Sequence, residues 1–567
     1  MYSWRRVRRA APALIGALSI GLLAACSMLT SGNGSVTVGT TGRGPAPAAP
    51  PPPEQMPAIA DGAACPSAAD LRRPGRLAAE NARPGTKLSL PSGRPDLAEV
   101  VGYPDRPSAS CGEVVTVQLS GPSRPVRLTA YRIGWYGGSG ARRVWTSAEL
   151  SIEPQPVPDG GTAPHLVQPS WPMSATLAID GDWPPGFYLL LPTTPRGVPV
   201  GPAIPLTVRD DAGTEPILFK ASTLTWNAYG SWGGWSLYHG PVGSAPVAVA
   251  NRARVIALQR PLVGAGYEQL QYMDLPVVRQ LEQLGLDVGY VTDEDVDARP
   301  GLLLKHAEIV SGGHSEYWTR AMYDGLLAAT DHGVNLTFLG ANTLWWQARL
   351  ERSATASRPD LMAVYRSRAD DPAAVEDPGA ATVLWAVAPL HRDPAAVLGQ
   401  SHAAIGARGG LQLLDAPAWF TAGTGLTEGS VLPGAIGNEA DGYNRRAANP
   451  AATQVLAAGV LNGAHGPVIV SAGYVTLPSG AAVFAAGSTN WACIPSGRCV
   501  DSVPPAATAT AVGRLTRNVL LRLAEPGAGR IRPAVPVIPF GATDLLPRLA
   551  PAAIGSYGGA TPRQEAA

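Results

Sequence analysis

The feature that most constrains the fold of this chain is a change in the spacing of apolar residues near Asp211. Before that point, apolar residues alternate with polar ones in short runs, which Pro and Gly interrupt about every ten residues. After it, apolar runs typical of buried strands alternate with segments of helical spacing. These two patterns need different layers, so we expect a β-sheet domain followed by an α/β domain.

The alternating runs lie in the segment 65–211. They are Val115, Val117 and Leu119; Val126, Leu128 and Ala130; and Phe187, Leu189 and Leu191. A period of two places these side chains on one face of each strand, and no convincing amphipathic helix lies between the runs. We therefore predict an immunoglobulin-like β-sandwich over 65–211, with residues 206–209 as its last strand.

The segment 212–526 alternates between strand and helix patterns. The predicted strands are 255–258, 288–291, 307–311, 334–339, 468–470 and 482–484, and the predicted helices lie at 275–284, 319–331 and 511–523. Since parallel strands need crossover connections, this order predicts a mostly parallel, doubly wound sheet. The poorly patterned region 351–466 is expected to be an insertion or an elaborated loop system.

The N-terminus has the pattern of an export signal. Arginines between Arg5 and Arg9 precede an apolar run over residues 10–25. At about sixteen residues this run is shorter than the roughly twenty that span a bilayer. Leu23-Ala24-Ala25-Cys26 resembles a bacterial lipobox. We therefore expect residues 1–25 to be a lipoprotein signal peptide and Cys26 to carry the lipid, by either Sec or Tat export.

Two further segments lack the pattern of a folded core. Residues 26–64 consist largely of Gly, Ser, Thr, Ala and Pro, and include four prolines at 50–53. Such a composition does not bury enough apolar surface to fold. We expect it to be a spacer that holds the folded part outside the cytoplasm, away from the membrane that anchors it. Residues 527–567 are predicted to form an irregular tail.

The cysteine content agrees with an oxidising compartment. Of five cysteines, Cys26 is assigned to the lipid, which leaves four. Cys493 and Cys499 bracket a short loop that could close on itself, so we favour their pairing, with Cys65 bonded to Cys111. The two other pairings stay open. A zinc site is disfavoured because the spacing is not that of a C-x-x-C motif.

Charge and composition narrow the class of protein. The chain has a formal net charge of +1, 45% hydrophobic residues and 15% charged residues, which is typical of a globular protein. Beyond the signal there is no cluster of Lys and Arg, and binding to nucleic acid phosphates needs one. We therefore expect no nucleic acid partner; the expected partners are the membrane, through the lipid, and a small molecule.

A Gly-rich turn after the predicted strand 307–311 carries the strongest candidate residues. It reads Gly312-Gly313-His314-Ser315-Glu316-Tyr317-Trp318. Ligands collect at the carboxyl ends of strands in α/β sheets, so His314, Glu316 and Tyr317 are catalytic candidates, as base, acid or metal ligands. Ser315 lacks the second glycine of a nucleophile elbow, which disfavours a serine hydrolase. Helix capping by Glu316 and a turn hydrogen bond from His314 are an equally weighted alternative.

Three other segments contain polar or aromatic residues that could contribute to a binding site. Residues 293–295 (Asp-Glu-Asp) follow a strand and are interpreted as solvated helix-capping carboxylates. Residues 340–343 (Gly-Ala-Asn-Thr) follow another strand and precede two tryptophans. The stretch 226–239 has five large rings among glycines, which could stack on a flat ligand or seal the domain junction. Packing is favoured.

Four short motifs occur in a fixed order along the chain. They are Tyr131–Gly138 (YRIGWYGG), Trp226–Tyr229 followed by Trp232–Gly234, Gly313–Trp318 (GHSEYW) and Gly437–Asp441 (GNEAD). Together they resemble the large (beta) subunit of N,N-dimethylformamidase, over a region from Val114 to Leu523. The resemblance implies a β-sandwich followed by an α/β domain related to the class I glutamine amidotransferases.

The resemblance also implies a chemistry. In that enzyme an iron held by two tyrosines and a glutamate hydrolyses a small amide. Tyr317 matches one ligand; Tyr290 and Tyr272 are candidates for the second tyrosine, and Glu439 for the glutamate. The family's glutamate precedes a Gly-Leu-Trp sequence, whereas residues 383–385 are Val-Leu-Trp without an adjacent acid. Two functions follow: an iron-dependent hydrolase of small amides or other C–N bonds, or a non-catalytic cell-envelope binding protein on the same scaffold.

Overall fold

The computed structural model describes residues 62–90, 100–240 and 251–558. These residues are rich in β-sheet with a minority of helices, and they fall within one unit that spans Ile59–Ala567. The signal peptide, Cys26 and almost all of the predicted spacer lie outside the described residues, so their assignment stays a prediction. Within the described ranges, no helix combines the length and the apolar character needed to cross a bilayer.

Two sheets that share one core form the first part of the fold. Short helices at Ala68–Leu71 and Arg76–Asn81 precede them. One sheet contains Val101–Pro104, Val114–Ser120 and Ala175–Ala178; the other, in spatial order, contains Ser108–Ser110, Ile204–Arg209, Gly186–Thr193, Arg124–Ile133 and Ala141–Thr146, with Leu150–Ile152 paired to Arg124–Ile133. Pairing is antiparallel except between Ser108–Ser110 and Ile204–Arg209. The arrangement is sandwich-like, as the alternating runs predict.

The strand Gly186–Thr193 lies between two cores. Tyr188 and Leu190 are buried in the core of the two sheets. The predicted run Phe187, Leu189 and Leu191 lies on the opposite face and is buried in the core of the α/β part. Both faces of this strand are therefore covered, and the sheets pack against the α/β part along it.

A buried ion pair crosses the same junction. Arg132, on the strand Arg124–Ile133, donates to Glu282 on the helix Leu275–Gln283, with an Nη2 to Oε1 distance of 2.9 Å. Both side chains are almost completely inaccessible to solvent. The hydroxyl of Tyr290 donates to the same carboxylate. Since a buried charge is stable only when it is paired and hydrogen-bonded, this network ties the two parts together.

The second part is built on a sheet of ten strands. Five of them pair in parallel, as the strand and helix alternation predicts; in spatial order they are Val288–Thr292, Ile217–Ala221, Glu308–Ser311, Asn335–Phe338 and Ala482–Ala485. The main helices of this part are Leu275–Gln283, Asp293–Ala298, Arg320–Asp331 and Ala506–Leu523. The hydroxyl of Thr319 accepts a hydrogen bond from the Met322 amide and so caps the helix Arg320–Asp331.

The remaining five strands of this sheet correct the prediction for residues 351–466. In spatial order they are Val468–Thr476, Thr453–Asn462, Ile554–Ser556, Ser401–Leu413 and Val431–Gly442. Most of their pairings are antiparallel. The predicted loop region thus contains three long strands, and the predicted irregular tail adds a short one. Residues 403–410 are mostly Ala and Gly, so these strands lack the bulky alternation by which strands are recognised in a sequence.

Smaller elements surround the main sheet. Val255–Ala257, Leu361–Ala363 and Arg349–Glu351 form a separate antiparallel sheet, so the predicted strand 255–258 is not part of the parallel layer. Tyr317–Trp318 pairs in parallel with Trp346–Gln347. The other α-helical segments are Thr223–Tyr229, Ala265–Gln269 (continued by a π-helical turn, Leu270–Asp274), Ala395–Leu398, Ala418–Thr421, Ala528–Ile531 and Ala542–Leu545.

The expected disulfide pairing is confirmed. Cys65 is bonded to Cys111, and Cys493 is bonded to Cys499. The first bond ties the segment before the N-terminal helices to the end of the strand Ser108–Ser110. The second closes a short loop that leads into the helix Ala506–Leu523.

Candidate functional site

The Gly-rich turn after Glu308–Ser311 lies against the turn that follows the neighbouring parallel strand, Asn335–Phe338. A Cβ atom added at Gly340 would lie 1.9 Å from the carbonyl oxygen of Gly313. The two main chains therefore approach each other more closely than any side chain allows. This contact places the side chains of both turns at one edge of the sheet, as expected for carboxyl ends of parallel strands.

The imidazole of His314 lies between two carboxylates. Its Nε2 atom is 3.2 Å from Oε2 of Glu439 and 3.5 Å from Oε2 of Glu316. Its Nδ1 atom lies 3.1 Å from Oε1 of Gln269. Asn342, from the neighbouring turn, donates to Oε2 of Glu439 at 2.6 Å. These side chains define the central cluster, in which His314, Glu316 and Asn342 are buried.

A chain of hydroxyl groups continues from the central cluster. Tyr238 donates a short hydrogen bond to Oε1 of Glu316. The hydroxyl of Tyr317 donates to that of Tyr238 at 2.7 Å. Arg366 closes the chain, because its Nη2 atom donates to the Tyr317 hydroxyl at 2.6 Å. Its guanidinium group also stacks over the Tyr238 ring, 4.5 Å from the ring centre.

The charges of the cluster are set by burial and by the neighbours of His314. Burial alone lowers the pKa of His314, but Glu439, through its charge and hydrogen bond, and Glu316 together raise it to about 9. Burial raises the pKa of Glu439, and the charge of His314 outweighs that effect and lowers this pKa to about 2. Burial dominates at Glu316 and raises its pKa to about 7, against the opposing effect of His314. At neutral pH a charged pair thus lies beside a carboxyl group near its midpoint.

Three buried polar atoms around the central cluster have no hydrogen-bond partner among the described residues. They are Oε2 of Glu316, Oδ1 of Asn342 and Nε2 of His402. The first lies 3.5 Å from His314 and so has an electrostatic contact without hydrogen-bond geometry. His402 faces the cluster through Asp441, which is 3.3 Å from its Nδ1 atom. Unsatisfied buried groups cost free energy, so these three atoms, together with Nε of Arg366, mark the cluster as a candidate binding site.

Backbone strain is concentrated near the same groups. Positive φ angles occur at Asn342 (54°), Leu344 (58°), Arg366 (58°) and Asn438 (60°), none of which is glycine. Such conformations cost free energy and persist where the surrounding structure imposes them, often at functional sites. Asn438 directly precedes Glu439, so the strain orients side chains of the cluster.

The cluster is not completely closed. Glu439 retains 12% of its side-chain exposure. Tyr229, Tyr238 and Arg366 are half-buried. The rings of Tyr229 and Tyr238 stack with centres 4.2 Å apart. These four residues, which we call the rim, are the parts of the network that reach solvent.

Ser315 and the acidic residues after Val288–Thr292 have structural partners. The Ser315 hydroxyl accepts hydrogen bonds from Lys220 and from the indole of Trp318. Lys220 also forms a buried ion pair with Asp293. Asp295 takes part in a capping box with Thr292. The capping interpretation therefore holds for Asp295, but Asp293 is paired inside the protein and is not solvated as expected.

The tryptophans of the aromatic stretch are packed. Trp226, Trp232 and Trp235 are buried. Trp232 makes an edge contact with Trp171, and Trp235 stacks on His165. The preferred packing interpretation therefore describes these rings. The two tyrosines of the stretch, in contrast, belong to the rim of the cluster.

A comparison with known protein families gives a result that agrees with this geometry. The family described as N,N-dimethylformamidase beta subunit-like, C-terminal, matches residues 127–498, which is more than half of the 567 residues. The chain belongs to this family. All four sequence motifs lie inside the match, so the resemblance is confirmed. None of the curated proteins compared matches the chain.

The structure places some of the expected site residues together and others apart. The structure brings His314, Glu316, Tyr317 and Glu439 into one connected network. Tyr290 lies in the junction network with Glu282, and Tyr272 packs in the hydrophobic core of the α/β part. The sequence analysis does not predict Tyr238, Arg366 or His402 as site residues. Tyr238 occurs there only as one of five aromatic rings in the stretch 226–239, and no sequence pattern marks Arg366 or His402.

One contact in this network argues against the iron that the family resemblance implies. Tyr238, Tyr317 and Glu316 do supply two phenols and a carboxylate in mutual contact. However, the guanidinium of Arg366 lies 2.6 Å from the Tyr317 hydroxyl, and a guanidinium stays protonated in proteins. Its fixed positive charge opposes a metal cation at the same oxygen.

Proposed function

We propose that this member of the family binds a small amide-like molecule at the central cluster without resident iron. The observation that carries the proposal is the set of unpartnered buried atoms on Glu316, Asn342 and His402. A neutral amide offers both N–H donors and a carbonyl acceptor, so it can satisfy groups of both kinds. Binding would remove the cost of leaving these atoms without hydrogen bonds.

The charge arrangement supports an uncharged ligand. His314 and Glu439 already neutralise each other, and Glu316 is close to its midpoint at neutral pH. The charge of Arg366 is held over the ring of Tyr238 and against the hydroxyl of Tyr317. His314 and Glu439 therefore offer no net charge to an ionic ligand, and burying a further full charge beside them would be costly.

Calorimetric titration of the purified chain with formamide, acetamide and N,N-dimethylformamide tests this proposal. We expect binding of at least one probe, weakened about tenfold or more by Glu439→Gln, because loss of the carboxylate frees both His314 and Asn342. The matched control is Glu428→Gln, an exposed residue before the same strand, which should bind as the wild type does. Absence of binding, or equal binding by the Glu439 variant, would reject the proposal.

Hydrolysis of the bound amide is a second candidate function. The observation in its favour is the carboxyl group of Glu316, whose pKa of about 7 suits a general base at neutral pH. Protonated His314, 3.5 Å away, could donate to the developing oxyanion or the leaving nitrogen. Release of ammonia or dimethylamine from the same probes, abolished by Glu316→Gln, would establish hydrolysis. Binding without product release would leave the chain a binding protein.

We further propose that the chain is an extracytoplasmic lipoprotein anchored through Cys26. The charged and apolar N-terminal segments support this, as does the lipobox-like sequence. The two disulfides also support an oxidising compartment. Labelling of cells with a radioactive fatty acid should mark the wild type and not Cys26→Ser. Equal labelling of both proteins, or cytoplasmic fractionation of the wild type, would contradict this assignment.

We also propose which known domains the two parts of the fold are related to. We infer that the α/β part is related to the class I glutamine amidotransferases and the sandwich-like part to immunoglobulin domains. Five parallel strands with flanking helices support the first relation, and two sheets over one core support the second. A crystal structure whose five parallel strands follow a different order from that of an amidotransferase domain would reject the first relation.

A further inference from the structure

A cavity lies outside the central cluster. The charged residues that line it are all positive. Its volume is about 850 Å³, within the range of small-molecule sites. Arg279, Arg514 and Arg517 line it, and no Asp or Glu does. Arg279 belongs to the helix Leu275–Gln283, and the other two to the helix Ala506–Leu523. The cavity therefore lies where two helices bring three guanidinium groups together.

The three arginines are not engaged by acids. None of them forms an ion pair within the described part of the chain, in contrast to Arg132, Arg209 and Arg349. The Nε atom of Arg279 is buried and has no hydrogen-bond partner. Burial lowers the pKa of Arg279, and no acidic neighbour offsets that effect. Three like charges in one cavity repel each other, so a bound anion would stabilise the arrangement.

The other residues that line the cavity include an aromatic ring and part of a disulfide-closed loop. Trp135, from the YRIGWYGG motif, lines one side and is 39% exposed. Pro495 and Ser496 line another side, on the loop closed by the disulfide Cys493–Cys499. Arg514 and Arg517 are three residues apart on one helix and so face the same side. Rigid walls and a flat ring are features of ligand sites more than of solvated surface.

We propose that this cavity is a binding site for a phosphate-bearing anion, with the three guanidinium groups on its oxygens and Trp135 against its uncharged part. Guanidinium groups match phosphate oxygens in pairs of parallel hydrogen bonds. A phosphate ester or diphosphate carries close to two charges or more at neutral pH, whereas one carboxylate would neutralise a third of the lining. The phosphate belongs either to a free small molecule or to the headgroup of an anionic lipid.

Calorimetric titration of the purified full chain tests this site. One arm uses sodium pyrophosphate, and the other uses phosphatidylcholine vesicles that contain phosphatidic acid, whose headgroup is a phosphate monoester. We expect binding in at least one arm, weakened about tenfold or more in the double variant Arg514→Gln/Arg517→Gln, because charged hydrogen bonds are lost. Tighter binding of pyrophosphate assigns a free phosphate compound, and tighter binding of the other probe assigns a headgroup.

The matched control changes the same charge on the same helix. Arg522 pairs with Glu525 at 3.2 Å and does not line the cavity. Arg522→Gln should therefore bind both probes as the wild type does. No binding in either arm, or an equal loss per charge removed in this control, would overturn the proposal. Arg514 is exposed, so the double variant is expected to fold, and its circular dichroism spectrum should match that of the wild type.

Discussion

Glu316 is the residue of the central cluster whose charge changes closest to neutral pH. Its pKa rises from 4.5 to about 7 on folding, chiefly through burial. A raised carboxyl pKa stabilises the fold fully below pH 4.5, and this contribution is lost as the pH rises through 7. We therefore expect the free energy of unfolding of the wild type to fall between these pH values, by on the order of 3 kcal/mol.

Glu316→Gln should lack that fall. Urea denaturation at a series of pH values measures the difference between the two proteins. The raised pKa of His314, from 6.5 to about 9, has the same sign, so a decline above pH 6.5 should remain in the variant while Glu439 is present. An identical pH dependence of the two proteins below pH 6.5 would show that the carboxyl group of Glu316 does not titrate as described.

Arg366 is the residue that separates this cluster from a metal site. It places a fixed charge 2.6 Å from Tyr317, whose hydroxyl also contacts Tyr238. Arg366→Gln removes the charge, so we expect this variant to take up ferric iron and to show a phenolate-to-iron absorption band in the visible range. Elemental analysis should find stoichiometric iron in the variant and none in the wild type. Iron in the wild type would contradict the account of this cluster.

The residues of the cluster differ in how far the sequence reveals them. His314, Glu316 and Tyr317 follow one strand directly, so local pattern is enough to find them. Tyr238 reaches Glu316 across 78 residues of chain, and Arg366 reaches Tyr317 across 49. Such contacts depend on how whole elements pack, and no spacing rule for single residues encodes them.

Secondary structure elements also differ in how clearly the sequence predicts them. Four of the five parallel strands lie within one or two residues of a predicted strand, because each contains a short buried apolar run. The fifth, Ile217–Ala221, was not predicted. The strand Ser401–Leu413 contains three irregularities in its pairing with Val431–Gly442 and is rich in Ala and Gly. Irregular register and small side chains remove the period-two signal, so these strands resembled loops.

The two disulfide-closed loops should contribute unequally to stability. Cys65 and Cys111 are 46 residues apart, whereas Cys493 and Cys499 are six apart. Since a disulfide restricts the unfolded chain more when its loop is longer, replacing the first pair by Ser should cost about 4 kcal/mol and the second about 2 kcal/mol. Urea denaturation of the two double variants measures both values. A larger loss from the shorter loop would contradict this ranking.

At the scale of the whole molecule, we expect the junction between the sandwich-like part and the α/β part to make the two parts unfold together. Arg132→Met leaves Glu282 buried without its counter-ion, so we expect a loss of roughly 3–5 kcal/mol in the free energy of unfolding. Arg132→Met/Glu282→Gln should lose less, because the buried charge is also removed. Calorimetry should show one unfolding transition for the wild type, since both parts share a core.

Arg127→Met is the matched control for that experiment. Arg127 lies on the same strand, but its partner Glu149 is 3.4 Å away and both side chains are exposed. Exposed ion pairs contribute little, so the expected change is within about 1 kcal/mol. Similar losses from both substitutions would show that burial of the Arg132 pair is not what links the two parts.

The contact between Gly313 and Gly340 also limits how this protein could be adapted. Because two main chains meet there, any added methyl group would separate the two turns that carry His314 and Asn342. For the proposed ligand, we therefore expect altered selectivity from changes at Tyr229, Tyr238, Arg366 or Glu439, the residues of the network that reach solvent. Engineering of ligand preference would begin at these four positions and leave the paired glycines unchanged.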